Sequence, residues 1–199
     1  MSMTFKTSLP LRSDTDADAA VAEPLRRARE QMGVVPNMYA AMANLPALLD
    51  AYRHGYELFR GHAEFTPAEQ EVLLLAISLE NECDYCVAAH SFLADKSGVP
   101  TEFTDAIRSA RPIADVRSEA LRSFAQTMVR TRGNPTTEDA KRFLGAGYSE
   151  KHILGVILAI GVKTLSNYTN HIFHTDLDAA FASRRWTGAD QDAEEAATA

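Results

Sequence analysis

Apolar positions along the chain recur at helical rather than strand spacing, and each run is closed by a proline, a glycine or a capping side chain. Residues 22–32 form a first helical segment, with Pro24 tolerable in its first turn and a stop at Gly33, with Pro36 beyond it. A short second segment spans 37–43, and a third spans 46–60 and ends at Gly61. Thr66-Pro67-Ala68-Glu69 is a strong helix start: a capping hydroxyl, proline at the first helical position and glutamate at the third. The helix it opens runs through Val72-Leu73-Leu74-Leu75-Ala76-Ile77, apolar on most sides, which makes it central. Asn81 is expected to cap the next helix, which ends near Gly98-Val99-Pro100. Further helices are expected over 101–109, 118–131, 137–144 and from 149 to about 171. No stretch alternates in polarity as a strand would, so the expected fold is all-α, with a helical domain over 18–186. Residues 1–17 read as an extended arm and 187–199 as a frayed acidic tail.

An internal register accompanies this pattern. Shifting the chain by 83 residues sets Thr66 on Ser149, Leu75-Ala76-Ile77 on Leu158-Ala159-Ile160, and Tyr85 on Tyr168. Cys83 then faces Ser166 and Cys86 faces Thr169, as in a duplicated helical unit whose second copy lost its chemistry. Shared apolar composition is the competing explanation.

Charge narrows the partners. A formal net charge of −7 and a pI near 5.4 argue against nucleic acid and against anionic membrane surfaces. The longest apolar stretch, 153–162, is interrupted by Gly155 and Gly161 and falls short of a membrane span. The first residues lack the basic and apolar regions of a signal peptide, so a cytoplasmic location is expected.

The chemistry concentrates in Cys83-Asp84-Tyr85-Cys86-Val87-Ala88-Ala89-His90, which holds both cysteines of the chain. On a helix the offsets 0, 3 and 7 fall within a sector of about 60°, so both sulfurs and the imidazole share one stripe. Two Cα atoms at that spacing lie about 5 to 6 Å apart, inside disulfide range. A thiolate is the attacking species, so the site must lower a thiol pKa from about 8.5. A helix N-terminus, the His90 imidazole and the Glu71 carboxylate on the preceding helix are the groups on offer. Other readings stand beside this one. Zinc would use these residue types but wants four ligands, and His171 and His174 would have to reach the pair by folding. The cysteines could be two small buried hydrophobes, Glu71 a helix-terminal acid, and Glu82 and Asp84 either opponents of the thiolate or solvated caps.

Glu71 followed by Cys83-x-x-Cys86-x-x-x-His90 resembles the signature of the alkylhydroperoxidase D-like proteins of the carboxymuconolactone decarboxylase superfamily, and the similar helical layout covers roughly residues 20–183. The resemblance implies an all-helical trimer or hexamer that needs no metal and no cofactor. It implies reduction of a hydroperoxide, with electrons from a dihydrolipoyl-type donor or exchanged with a partner thiol protein. Glu71, His90 and a water would relay protons, Cys86 would attack and Cys83 would resolve.

The sequence also departs from the family. Tyr85 stands where the best-known members carry a histidine between the cysteines, and the long C-terminal half, with Asn167-Tyr168-Thr169-Asn170-His171, is that of peroxidase-related members. The alternatives are a non-peroxidatic thiol–disulfide carrier or redox sensor, and a decarboxylase or isomerase of a small acid using His90 and Glu71. The apolar, Met-rich stretch 34–42 either covers the chain's own core or meets a second subunit of a homo-oligomer.

Overall fold

One helix is surrounded by the others because its sequence leaves it no polar face. In the computed structural model, which describes residues 4–188, α4 (Pro67–Glu80) buries every residue from Gln70 to Leu79. Leu73, Leu74, Leu75 and Ile77 have no exposure at all, and each such side chain contributes about 1.5 to 3 kcal/mol relative to remaining in water. Thr66 opens the helix with the full capping box: Glu69 N–H donates to the Thr66 hydroxyl at 3.2 Å, and Thr66 N–H to the Glu69 carboxylate at 2.9 Å. That box fixes where the central helix begins.

Packed around it are α1 (Ala19–Met32), α2 (Asn37–Met42), α3 (Pro46–His62), α5 (Asp84–Lys96), α6 (Thr101–Arg108), α7 (Val116–Arg130), α8 (Thr137–Gly145) and α9 (Glu150–Phe173). No strand occurs among the described residues, and the fold is all-α as the spacing predicts. Two apolar cores result. The larger joins α4 to α7, α8 and the start of α9; the smaller joins α1, α2 and α3 to Cys83, Cys86 and Val162. Helices α3 and α9 pack closely at Gly55, where a Cβ would sit 3.1 Å from Val162 Cγ2. Gly155 of α9 lets the chain just past α3 come close, since a Cβ there would sit 2.9 Å from the Phe65 ring and 3.2 Å from the Ala63 carbonyl.

Several boundaries differ from expectation for local reasons. α1 starts three residues early because Asp18 caps it, its carboxylate accepting from Ala20 N–H at 2.9 Å. Pro24 therefore lies inside the helix rather than in its first turn, buried against the core. α3 runs through Gly61 to His62. α7 starts at Val116 rather than 118 because Asp115 caps it. A 3-10 segment, Ala179–Arg184, follows α9; without a periodic apolar pattern it gave no signal. Met38, Ala40, Ala41 and Met42 face the chain's own core, so most of stretch 34–42 is covered internally and only Val34 is strongly exposed.

The N-terminal arm lies against the helices without joining one: Thr7 N–H donates to Ile172 O at 2.9 Å and Arg12 N–H to Ala40 O at 3.0 Å. The acidic tail expected from residue 187 falls, from 189 onward, outside the described residues. The duplicated register survives at the helix starts, where Thr66 and Ser149 are both N-caps, and fails further on. Where the first copy breaks between α4 and α5, α9 continues unbroken for 24 residues. Ser166 and Thr169 spend their hydroxyls on their own helix, bonding to Lys163 O at 3.1 Å and Leu165 O at 2.7 Å.

Candidate active site

The thiols sit at the break between α4 and α5. Asn81 closes α4 by donating its N–H to Ile77 O at 3.0 Å, and Glu82 turns the chain through a left-handed φ of 53°. A side chain at such a φ costs about 1 to 2 kcal/mol, which a solvent-exposed Glu82 bears without disturbing the core. Cys83 N–H then bonds back to Ser78 O at 3.0 Å, and Cys83 itself is the N-cap of α5 in an extended conformation. Asn81, expected to cap α5, instead ends α4 and donates its side-chain amide to Asn167 Oδ1 at 2.8 Å. Cys86 becomes the third residue of α5, where unpaired backbone N–H groups favour an anion. Both thiols are free and nearly sealed, at 1% and 2% exposure.

Glu71, 2% exposed on α4, is held from two sides. Its Oε2 meets His90 Nδ1 at 2.9 Å, and its Oε1 accepts from the Arg60 guanidinium of α3. Arg60 also donates to Gln70 Oε1 at 2.9 Å and to the Tyr56 hydroxyl, above whose ring it lies at 4.7 Å. Burial raises the Glu71 pKa, but the His90 hydrogen bond and the Arg60 charge outweigh it, so the carboxyl is held below its usual range. For His90, burial and then the Lys163 charge outweigh Glu71 and lower its pKa. A neutral His90 therefore donates Nδ1–H to Glu71 and keeps Nε2 as its basic atom. A merely helix-terminal acid at position 71 would not show this geometry.

The two thiols are driven apart. Burial opposes ionisation of Cys86, but the Cys83 hydrogen bond, Lys163 and His90 together bring its pKa well below the ordinary thiol value. Donation to Cys86 and then burial push Cys83 well up. Asn170 on α9 bridges the pair, its Nδ2 lying 3.3 Å from Cys86 Sγ and 3.9 Å from Cys83 Sγ. Among the described residues its Oδ1 is buried without a hydrogen-bond partner. A cavity of about 550 Å³ opens over Cys83 rather than Cys86, with Asn170, His171, His174 and Thr175 on its walls and Thr4 of the arm at its edge. A second cavity, about 430 Å³ between α7 and α8, contains none of these residues and is no part of the site.

Folding thus brings together all four residues singled out from the sequence, Glu71, Cys83, Cys86 and His90. It adds Arg60, Lys163 and Asn170. Arg60 and Asn170 carry no local signal; Lys163 does, as the one charge in the otherwise uncharged stretch 152–173. Glu82 and Asp84 are exposed, and both line the cavity over Cys83. Tyr85 is turned away from proton transfer: its hydroxyl donates to Asp178 and its ring meets Phe181 edge-on. His171 and His174 do approach Cys83 across the cavity, yet among the described residues no three His, Cys, Asp or Glu side chains converge on a metal-sized site.

No protein-family model and no curated protein matches the sequence. Solved structures do resemble the chain in three dimensions. The crystal structure of an alkylhydroperoxidase AhpD core, an uncharacterized peroxidase-related protein from Ralstonia eutropha JMP134, aligns over 87% of this chain and 93% of its own at TM-score 0.77 and 18% identity. An uncharacterized peroxidase-related protein from Silicibacter sp. TM1040 aligns over 92% and 99% at TM-score 0.75 and 20% identity. A variant of the debrominase Bmp8 in complex with 2,3,4-tribromopyrrole aligns over 90% and 97% at TM-score 0.71 and 15% identity. With its helices laid out as theirs are over most of its length, the chain has the all-α AhpD-like fold.

Proposed function

We propose that the protein is a thiol-dependent peroxidase that cycles Cys83 and Cys86 between dithiol and disulfide. The observation that carries this reading is the asymmetry of the pair. Cys86 is placed among Lys163 and the Asn170 amide, which favour its thiolate, while Cys83 keeps its proton beside it. The Cys86 thiolate would attack one oxygen of a hydroperoxide, forming an S–O bond as the O–O bond breaks. The departing alkoxide takes a proton and leaves as the alcohol. Cys83 sulfur then attacks Cys86 sulfur, its proton passing to His90 Nε2 or to water, and the sulfenic oxygen leaves as water. Per turnover, one hydroperoxide and two thiols give an alcohol, a water and a disulfide.

The disulfide would be returned to the dithiol by a thiol protein or a dihydrolipoyl-type donor, in a reducing cytoplasmic setting. Cys83, which borders the cavity, is the sulfur such a donor reaches first. The same pair could serve a second electrophile. A debrominase shares the fold, and a carbon–bromine bond can be reduced by two thiols to a carbon–hydrogen bond, with bromide and a disulfide as products. We also propose that the chain self-associates. Leu154, Ile157, Tyr168 and Ile172 are exposed along one stripe of α9, which spans about 27 Å.

Single-turnover oxidation of the reduced protein tests the reading. Hydrogen peroxide or an organic hydroperoxide at one equivalent should consume both thiols without covalent dimers. Loss of both thiols only with tribromopyrrole would favour the second electrophile. Two sulfinic acids and no disulfide would refute dithiol chemistry altogether.

A further inference from the structure

Lys163 is 1% exposed in the middle of α9 and, among the described residues, forms an ion pair with no carboxylate. A buried ammonium without a counter-charge is among the most expensive groups a fold can hold, so its anion must lie nearby. The one buried carboxylate among the described residues, Glu71, is already bonded at one oxygen by Arg60 and at the other by His90. Lys163 shares a helical face with Asn167 and Asn170, four and seven residues on, and Asn170 touches both sulfurs. Its charge bears on Cys86, on Cys83 and on His90.

We propose that Lys163 is the buried counter-ion of the Cys86 thiolate, a positioning residue that holds Cys86 in its nucleophilic form. The proposal rests on the reading that Cys86 works as a thiolate and is independent of which oxidant it meets. The roles then divide cleanly, with Lys163 supplying the positive charge, Asn170 a neutral donor, and Cys83 a donated S–H. His90, kept neutral by the same lysine, remains free to accept a proton. The titratable and charged groups facing Cys86 are Cys83, Tyr85 and His90 of α5, Tyr52 of α3 and Lys163 of α9. Glu71 of α4 acts through His90, and Arg60 of α3 through Glu71. Lys163 is the Lys or Arg side chain that bears on Cys86 directly.

The reduced full-length protein is titrated by the ultraviolet absorbance of its thiolate and, in parallel, by the pH dependence of alkylation with iodoacetamide. In the wild type one thiolate should persist well below the ordinary thiol range, and Cys86→Ser should abolish that signal. Lys163→Met, which keeps length and removes charge, should raise the midpoint by about 1 to 3 pH units. Lys163→Arg should return it most of the way. An unmoved midpoint in Lys163→Met would overturn the proposal, as would an equal rise in both variants, which would assign the effect to packing. Should Lys163→Met fail to fold, the wild type still decides: absence of any thiolate below about pH 8 overturns the claim. A low thiolate midpoint that depends on Lys163, in a protein inert to peroxides, would sink the peroxidase reading while upholding this one.

Discussion

Glu71 holds the arrangement of the site together at the level of single side chains. It fixes the His90 tautomer at 2.9 Å and neutralises Arg60, so its two oxygens tie α5 and α3 to the central helix. Glu71→Gln keeps the shape but leaves Arg60 without its anion, and should cost about 2 to 3 kcal/mol by urea unfolding. In Glu71→Gln and in His90→Gln, alkylation of the reactive thiol should slow or move to higher pH, by less in combination than the sum. Unchanged profiles in both would return the pair to a purely structural role. The pH dependence has a definite sign. His90 is lowered from 6.5 in the folded state, so between its folded value and 6.5 the unfolded chain binds more protons. That contribution is fully present above about pH 6.5 and is lost as pH falls through the folded value. The Glu71 contribution, present above 4.5, is lost below its own lowered value. Wild-type stability should therefore fall on acidification through the first window, and His90→Gln should flatten that slope.

Helix ends, rather than helix bodies, decide the site at the level of elements. The turn at Glu82 converts what α9 shows as one continuous helix into the α4–α5 pair, and so places Cys83 at an N-cap and Cys86 in a first turn. The C-terminal segment is fastened to that same helix. Tyr85 donates to Asp178, which also accepts from Asn37 N–H at 3.2 Å, and Arg184 pairs with Asp95 and Asp105. Tyr85→Phe removes a charge-assisted bond worth about 1.5 to 3 kcal/mol. Limited proteolysis between residues 174 and 187 should then be faster, with the thiol pair still oxidised normally. Unaltered cleavage would mean that the arginine pairs alone hold the segment.

The whole molecule presents one feature that its own packing does not explain, the exposed apolar stripe of α9. A groove of about 340 Å³ runs beside it, with Ile157, Thr164 and Tyr168 on one wall and Met128 and Val129 on the other. A second copy of the chain is the occupant that homo-oligomerisation would supply. Light scattering at micromolar concentration should give a mass above 21.8 kDa, and Ile157→Asp combined with Tyr168→Asp should lower it towards that value. A single mass near 21.8 kDa for the wild type would refute self-association. No single helix among the described residues is long and apolar enough to cross a membrane.

Features set by near neighbours were legible in the sequence. The Thr66 capping box, the apolar run 72–77 of α4 and the helical stripe of Cys83, Cys86 and His90 depend on offsets of a few residues, and the helical period fixes those. The Glu71–His90 pairing was legible only through resemblance, because the turn between α4 and α5 interrupts the period. Arg60 bonds Glu71 across 11 residues, Asn170 meets Cys86 across 84, and Lys163 belongs to a helix built from the far end of the chain. Such contacts follow from how α3 and α9 pack, which Gly55 permits and the two cores enforce. Local spacing alone thus dictates that Cys83, Cys86 and His90 share a helix face. The surroundings of the two sulfurs depend on the packed fold, because Lys163 and Asn170 arrive from another helix.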